Sequence, residues 1–200
     1  MTTTMDIVFE ALAERHRKDI IDILNYYIAC TTAAYREKAV DFAHFDNFLN
    51  KENVHIGYAI ENDKNEVIGF CTLEPFKSFT PFKATAEAMY FIKRGYTGKG
   101  VGSRALARLE NDARRLGIRK LVVDIADDNE TSISFHKNKG FKEYGRLHRC
   151  WRKFGKDLGI VYMEKEINSL ENMAGEAEQT RNLPERIENL EREGAAARKL

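Results

Sequence analysis

The sequence is poor in the features that mark specialised protein classes. Its 200 residues hold only 3 cysteines, 3 prolines and a single tryptophan. Cys30, Cys71 and Cys150 are far apart and in no CxxC pair, so they neither staple a secreted scaffold nor build a zinc site. So few prolines, beside 13 glycines, exclude a collagen-like or low-complexity chain. An excess of one charge is also lacking. Lys and Arg number 32 and Asp and Glu 31, a net of +1, whereas nucleic-acid binders usually carry a strong basic surplus. No run approaches the ~18 apolar residues of a membrane span. The stretch Met1 to Glu14 has acids inside its weak apolar run and no basic flank, unlike a secretory signal. What remains is 43% apolar and 32% charged, a composition that fills a core and solvates a surface. The expectation is a soluble enzyme or binding domain of a reducing, cytoplasmic compartment, with no metal, membrane or nucleic-acid partner.

Periodicity then gives alternating elements. Ile7 to Glu10 reads as a strand and Ala11 to Thr31 as a helix, with Ile20, Leu24, Tyr27 and Thr31 at helical spacing. Val40 to Asn50 reads as a less regular helix. His55 to Asn62 and Val67 to Leu73 flank the polar turn Asp63-Lys64-Asn65 and make a hairpin. Pro75 to Thr85 is a loop, and Ala86 to Lys93 a strand. A glycine-dense segment precedes a helix with Val101, Ala105, Leu109, Ala113 and Leu116 on one face, stopped by Gly117. Leu121 to Ala126 is a buried strand. Asp127-Asp128-Asn129 offers N-cap chemistry for a helix to about Lys139. Phe141 to His148 and Ile160 to Ile167 close the body as strands. The pattern predicts a mixed α/β domain over residues 1–167. Residues 168–200 change composition, with five basic and seven acidic residues, and read as a charged tail, helical or disordered.

The most informative segment runs from Ile92 to Ser103, with four glycines between Gly95 and Gly102. It leaves a strand and opens a helix. Glycines let backbone N–H groups converge, and the helix N-terminus adds partial positive charge, so the pattern suits a phosphate or pyrophosphate. A P-loop fails, because Val101 and Gly102 stand where Lys and Ser/Thr are required. A dinucleotide fingerprint fits Gly100, Gly102 and Ala105, with Asp124 as the ribose acid. Against it, Lys93 to Thr97 intervene where a tight turn belongs, and too few βα units follow.

The third cradle is the acyl-CoA loop, Arg/Gln-x-x-Gly-x-Gly/Ala. Gly100 and Gly102 fill its last positions and Thr97 stands in the first. A second motif, Asn-x-x-Ala/Ser followed by an aromatic helix ending in Gly-Phe, is met by Asn129, Ser132, Phe135, Gly140 and Phe141. On these residues the chain resembles the GNAT N-acetyltransferases. Thr31 to Ala34, Thr85-Ala86-Glu87, Ser132 to His136 and Gly140 to Gly145 resemble the phosphinothricin and methionine-sulfoximine acetyltransferase branch. So does Lys153-Phe154-Gly155. The resemblance implies a mostly antiparallel sheet splayed in the middle and flanked by helices, acetyl-CoA as cosubstrate and a homodimer.

The chemistry implied is direct acetyl transfer to an amine of a small molecule, such as an amino acid or its analogue. An alkylammonium must lose a proton before it attacks, so a base within reach is useful. The resemblance makes Glu87 that base and places His136 as base or as acid for the departing thiolate. It assigns the thioester carbonyl to the Ile92 N–H and the coenzyme to Tyr90, Phe91, Gly98, Lys99, Gly100, Val101, Gly102, Ser103 and Asn129. Phe76, Lys77, Phe82 and Lys83 resemble acceptor-pocket segments in which relatives carry Phe-Arg and Tyr-Arg. Lysine keeps the charge but loses the planar two-pronged grip on a carboxylate. The alternatives are a different amine (a peptide N-terminus, a polyamine, an aminoglycoside) and a non-catalytic acyl-CoA sensor.

Overall fold

The computed structural model describes residues 5–168. The expected tail of residues 168–200 therefore lies outside the described residues, Asn168 excepted. Seven strands of the described residues form one sheet: β1 (Ile7–Ala11), β2 (Ile56–Asn62), β3 (Val67–Pro75), β4 (Thr85–Ile92), β5 (Lys120–Ala126), β6 (Lys142–Lys153) and β7 (Lys156–Glu166). Their order is β1-β2-β3-β4-β5-β7-β6. The β4–β5 pair is parallel and all other neighbours are antiparallel.

Among the described residues, four α-helices cover the sheet: α1 (Arg17–Cys30), α2 (Asp46–Leu49), α3 (Val101–Arg115) and α4 (Glu130–Asn138). The α3 stripe of Val101, Ala105, Leu109 and Ala113 is buried, as its spacing predicts. Leu106 joins it, and together they pack on Ile68, Leu73, Ala86, Ala88 and Leu121 of the sheet. Expected with that stripe, Leu116 instead is 52% exposed, because the helix ends at Arg115 and Gly117 (φ 70°) turns the chain away. On the other face, Ile20, Leu24 and Ile28 of α1 meet Ala59, Phe70 and Phe91. Each fully buried Leu or Ile contributes about 1.5–3 kcal/mol relative to exposure, and these two clusters hold the layers together.

Three expectations need correction. The first helix starts at Arg17, because β1 runs to Ala11 and a 3-10 turn at Glu14–His16 intervenes. The helix expected over Val40 to Asn50 is a 3-10 turn, Phe42–Phe45, followed by one α turn. The last two strands are longer than expected: β6 continues to Lys153 and β7 begins at Lys156. β6 is an edge strand exposed along most of its length, so Arg146, His148, Arg149 and Arg152 show no alternation of apolar and polar residues. The expected loop at residues 75–85 holds only a 3-10 turn, Thr80–Phe82. Among the described residues no helix is long and apolar enough to cross a membrane.

Candidate active site

The site begins where the sheet parts. β4 pairs with β5 only through Thr85↔Lys120, Ala86↔Leu121 and Glu87↔Val122. Beyond Glu87, β4 carries Ala88 to Ile92 away from β5 while keeping its register with β3. Lys93 N–H donates to the Ile68 carbonyl of β3 at 2.8 Å. Strand groups alternate in direction, so the N–H and C=O of Ile92 point away from β3, toward the gap. The Ile92 carbonyl accepts the Tyr27 hydroxyl there at 2.6 Å.

The gap opens into a cavity of about 1050 Å³. Tyr90, Phe91, Ile92, Thr97, Gly102, Asn129, Ser132 and Phe135 line one part; Tyr35, Arg36, His44, Asn47, Glu52, Glu74 and Pro75 line another. Glu87 and Asp124 also face it. This volume exceeds a usual small-ligand site and suits a large ligand beside a small one.

The glycine segment bounds the first part. Gly98 and Gly100 have φ of 73° and 82°, and a Cβ built on either meets no protein atom within 4 Å. The loop therefore owes its glycines to its backbone conformation, and the space above them is free for a ligand. Gly100 precedes α3 and brings no side chain to its first-turn N–H groups. Val101 is buried in the core, so only its backbone can serve a ligand. Lys99 lies over the Tyr96 ring, and of the expected loop residues Gly102 alone lines the cavity. These open backbone donors, with the unpaired edge of β4, fit the pyrophosphate and amide arm of a coenzyme.

Carboxyl groups gather at the apex of the gap. Glu87 faces Glu74 across the β3–β4 register, and Asp124 stands two residues beyond the partner of Glu87 on β5. The Asp124 carboxyl acts on the Glu87 carboxyl, and the Tyr35 hydroxyl lies in the field of both. Burial, then the Asp124 carboxyl, push the Glu87 carboxyl up to about 8, while Lys77 opposes this weakly. Burial also raises Glu74, which accepts the Thr72 hydroxyl at 2.8 Å. Tyr35 is carried by the chain between α1 and α2. Its ring packs edge-on against Trp151 at 5.0 Å, and the Lys153 ammonium donates to the Ala34 carbonyl at 2.6 Å.

His136 is buried, 4% exposed. Its Nδ1 lies 2.8 Å from the Ser132 carbonyl, which only accepts, so the proton sits on Nδ1. Its Nε2 then accepts the Tyr90 hydroxyl at 2.7 Å. Burial lowers the affinity of His136 for a second proton. Asn129 caps α4, accepting from the Ser132 N–H at 3.2 Å, and also lines the cavity. Phe76, Lys77, Phe82 and Lys83 do not line it; their segment contributes Pro75 and Ser78 instead. The Phe76 and Phe82 rings sit 6.1 Å apart, with Lys77 over Phe76.

Sequence reasoning missed Tyr35, Glu74 and Tyr27 as cavity residues, and it noticed Asp124 for a different reason. The dinucleotide reading wanted Asp124 on a ribose; a mostly antiparallel sheet excludes that architecture, and the carboxyl instead acts on Glu87. A separate group, Glu10, His16 and Glu61, has metal-ligand proximity. His16 Nδ1 accepts the Ala13 N–H at 3.1 Å, which leaves the ring proton on Nε2, between the carboxylates of Glu61 at 3.4 Å and Glu10 at 3.6 Å. A metal needs that nitrogen's lone pair, so the trio fits a structural polar cluster around a neutral imidazole, which burial keeps from taking a second proton.

Comparison with known proteins places this geometry. The model of the acetyltransferase (GNAT) family matches residues 20–141. L-methionine sulfoximine/L-methionine sulfone acetyltransferase of Salmonella typhimurium is 28% identical over 153 residues, covering 74% of this chain and 88% of that protein. Phosphinothricin N-acetyltransferase of Streptomyces coelicolor is 22% identical over 171 residues, covering 84% of this chain and all of that protein. A solved acetyltransferase of Salmonella typhimurium with its cofactor acetyl-CoA superposes with a TM-score of 0.73 at 25% identity, over 84% of this chain and 96% of that one. With its family motifs at either side of a parted sheet, the chain belongs to the GNAT acetyltransferases.

Proposed function

We propose that the protein transfers an acetyl group from acetyl-CoA to the amine of an amino acid or amino-acid analogue, with both substrates bound together. The observation that carries this reading is the parting of β4 from β5 at Glu87, which sets a proton acceptor at the apex of a cavity large enough for both. The names of the relatives that act on methionine sulfoximine, methionine sulfone and phosphinothricin support the acceptor class.

The chain's own groups divide the work. Backbone N–H groups of Gly98, Gly100, Val101, Gly102 and Ser103, with Lys99 beside them, cradle the pyrophosphate. The edge of β4 at Tyr90 and Phe91, with Asn129 on α4, receives the pantetheine arm. The Ile92 N–H faces the thioester carbonyl and stabilises charge that develops on its oxygen. Glu87 takes a proton from the ammonium of the acceptor, which frees the nitrogen lone pair. Acetyl-CoA supplies the thioester: a C–N bond forms, the C–S bond breaks, the thiolate leaves as thiol, and one proton is released overall. Because His136 Nε2 accepts from Tyr90, the role of His136 toward the thiolate runs through the Tyr90 hydroxyl. Arg36 on the cavity wall and Lys77, close enough to act on Glu87, offer positive charge to an acceptor carboxylate.

The test is thiol release from acetyl-CoA with methionine sulfoximine, methionine sulfone, phosphinothricin, the common amino acids, spermidine and a short peptide. Release with an amino acid or analogue is expected. Release with peptide or polyamine alone overturns the acceptor class; coenzyme binding with no release on any amine favours a sensor.

A further inference from the structure

The segment between α1 and β2 supplies a wall of the cavity that the transfer itself leaves without a task. Arg36, His44, Asn47, Phe48 and Glu52 line it. Among the described lining residues Arg36 is the sole Lys or Arg. An acceptor carboxylate set at Arg36 leaves the acceptor's side chain to meet His44 and its neighbours. His44 belongs to the 3-10 turn Phe42–Phe45, and Asn47 and Phe48 to α2.

His44 is held in one orientation and one tautomer. Its backbone N–H donates to the carbonyl and to the carboxylate of Asp41, each at 3.2 Å. Its ring stands edge-on to Phe48 at 5.8 Å, and the buried Phe48 stands edge-on to Phe70 of β3 at 5.4 Å. The Asn47 side chain fixes the proton. Asn47 Nδ2 lies 2.9 Å from the His44 carbonyl, which only accepts, so the NH2 end of the amide faces His44. The same Nδ2 lies 3.2 Å from His44 Nδ1. Nδ1 therefore accepts, and the ring proton sits on Nε2. Burial and the Arg36 charge lower the affinity of the ring for a second proton, with Asp41 opposing. Among the described residues Nε2 has no hydrogen-bond partner. His44 thus brings a neutral imidazole with one fixed, unspent donor to the cavity wall. Glu52, the other charged group of this wall, only accepts and does not duplicate that donor.

We propose that His44 is a specificity-determining residue for the acceptor: its Nε2–H donates a hydrogen bond to an oxygen at the end of the acceptor's side chain, while Arg36 holds the acceptor carboxylate. The inference rests on the reading of the acceptor as an amino acid or analogue. The class selected is a side chain ending in a hydrogen-bond-accepting oxygen, such as a sulfone, sulfoximine, phosphinate or carboxamide. A thioether of similar length accepts only weakly. It would strip water from the donor without replacing the bond, and binding would weaken accordingly.

The experiment measures kcat/KM for methionine sulfone and for methionine at saturating acetyl-CoA, with the unaltered chain, His44→Phe and His44→Gln. The unaltered chain is expected to prefer the sulfone by about tenfold or more. His44→Phe keeps a ring against Phe48 and should lose most of that preference; His44→Gln keeps an N–H donor and should retain part of it. Differences in reactivity between the two amines are common to all three chains and cancel in the comparison. KM for acetyl-CoA should not change. A preference that is absent in the unaltered chain, or unchanged in His44→Phe, overturns the assignment, while acetylation of any amino acid or analogue leaves the acceptor reading standing. Acetylation of none of them overturns that reading and the assignment with it. If His44→Phe does not fold, imidazole nitrogen NMR of the unaltered chain with coenzyme A decides. A protonated His44 Nε2 whose signal shifts with methionine sulfone and not with methionine supports the assignment; an unprotonated Nε2, or the same response to both, overturns it.

Discussion

The pH dependence of turnover follows from the apex of the gap. Glu87 accepts a proton only when ionised, and burial with Asp124 sets its half-ionisation at about 8. At pH 7 about one-tenth of the enzyme then carries the competent base, and at pH 6 about one-hundredth. kcat/KM is expected to climb about tenfold per pH unit up to about 8 and then level. The acceptor ammonium also titrates in the alkaline range, so the assay needs amines of different basicity. An inflection that stays near 8 across acceptors belongs to the enzyme; one that tracks the acceptor belongs to the amine. The measurement is thiol release in a buffer series of constant ionic strength, with stability checked at each pH. A flat profile from pH 6 to 9 would refute the reasoning, because it would require a carboxyl of ordinary acidity at this position.

The same shift has a cost in stability. A carboxyl raised from 4.5 to about 8 on folding destabilises the fold increasingly as pH rises between those values, and fully above the upper one. Discounted for partial exposure, the penalty is about 2–3 kcal/mol, so Glu87→Gln is expected to melt higher than the unaltered chain at pH 9 and equally at pH 4. Gly100→Ala adopts φ near 82° at a cost of about 1–2 kcal/mol, yet meets no neighbouring atom; KM for acetyl-CoA should rise more than the melting point falls. Lys153→Met breaks the bond to the Ala34 carbonyl, and steady-state kinetics should show about a tenfold loss in kcat/KM for the acceptor with coenzyme affinity unchanged. Leu109→Ala empties a fully buried position under α3 and should cost about 3 kcal/mol by denaturant titration.

Much of the fold was legible because local signals agreed. The β2–β3 hairpin announced itself through its polar turn, and α3 through its apolar stripe and the glycine beyond its end. Elements without such agreement were misjudged. β6 is solvated on both faces, so its basic run Arg146 to Arg152 offered no alternation. The α2 region is short because its buried Phe45 and Phe48 anchor a bend instead of a long helix face.

The candidate site was legible in parts that lie contiguous in sequence, such as the glycine loop and the segment from Asn129 to Phe141. Its apex was not. Tyr35, Glu74, Glu87 and Asp124 meet only because the sheet pairs β3 with β4 and parts β4 from β5. No spacing rule links residues brought together from a loop and different strands. Lys77 and Lys83 lie in a segment that reaches the cavity wall through Pro75 and Ser78, while Arg36, from the chain between α1 and α2, was not foreseen there.

The central claim is acetyl transfer to a small amine with Glu87 as base. The most direct measurement is mass spectrometry of a mixed amine panel after incubation with acetyl-CoA carrying isotope in its acetyl group, using the unaltered chain and Glu87→Gln. The account predicts label on an amino acid or analogue with the unaltered chain and little or none with Glu87→Gln, although both bind the coenzyme. Label transferred equally by both chains, or to no small amine at all, would contradict it.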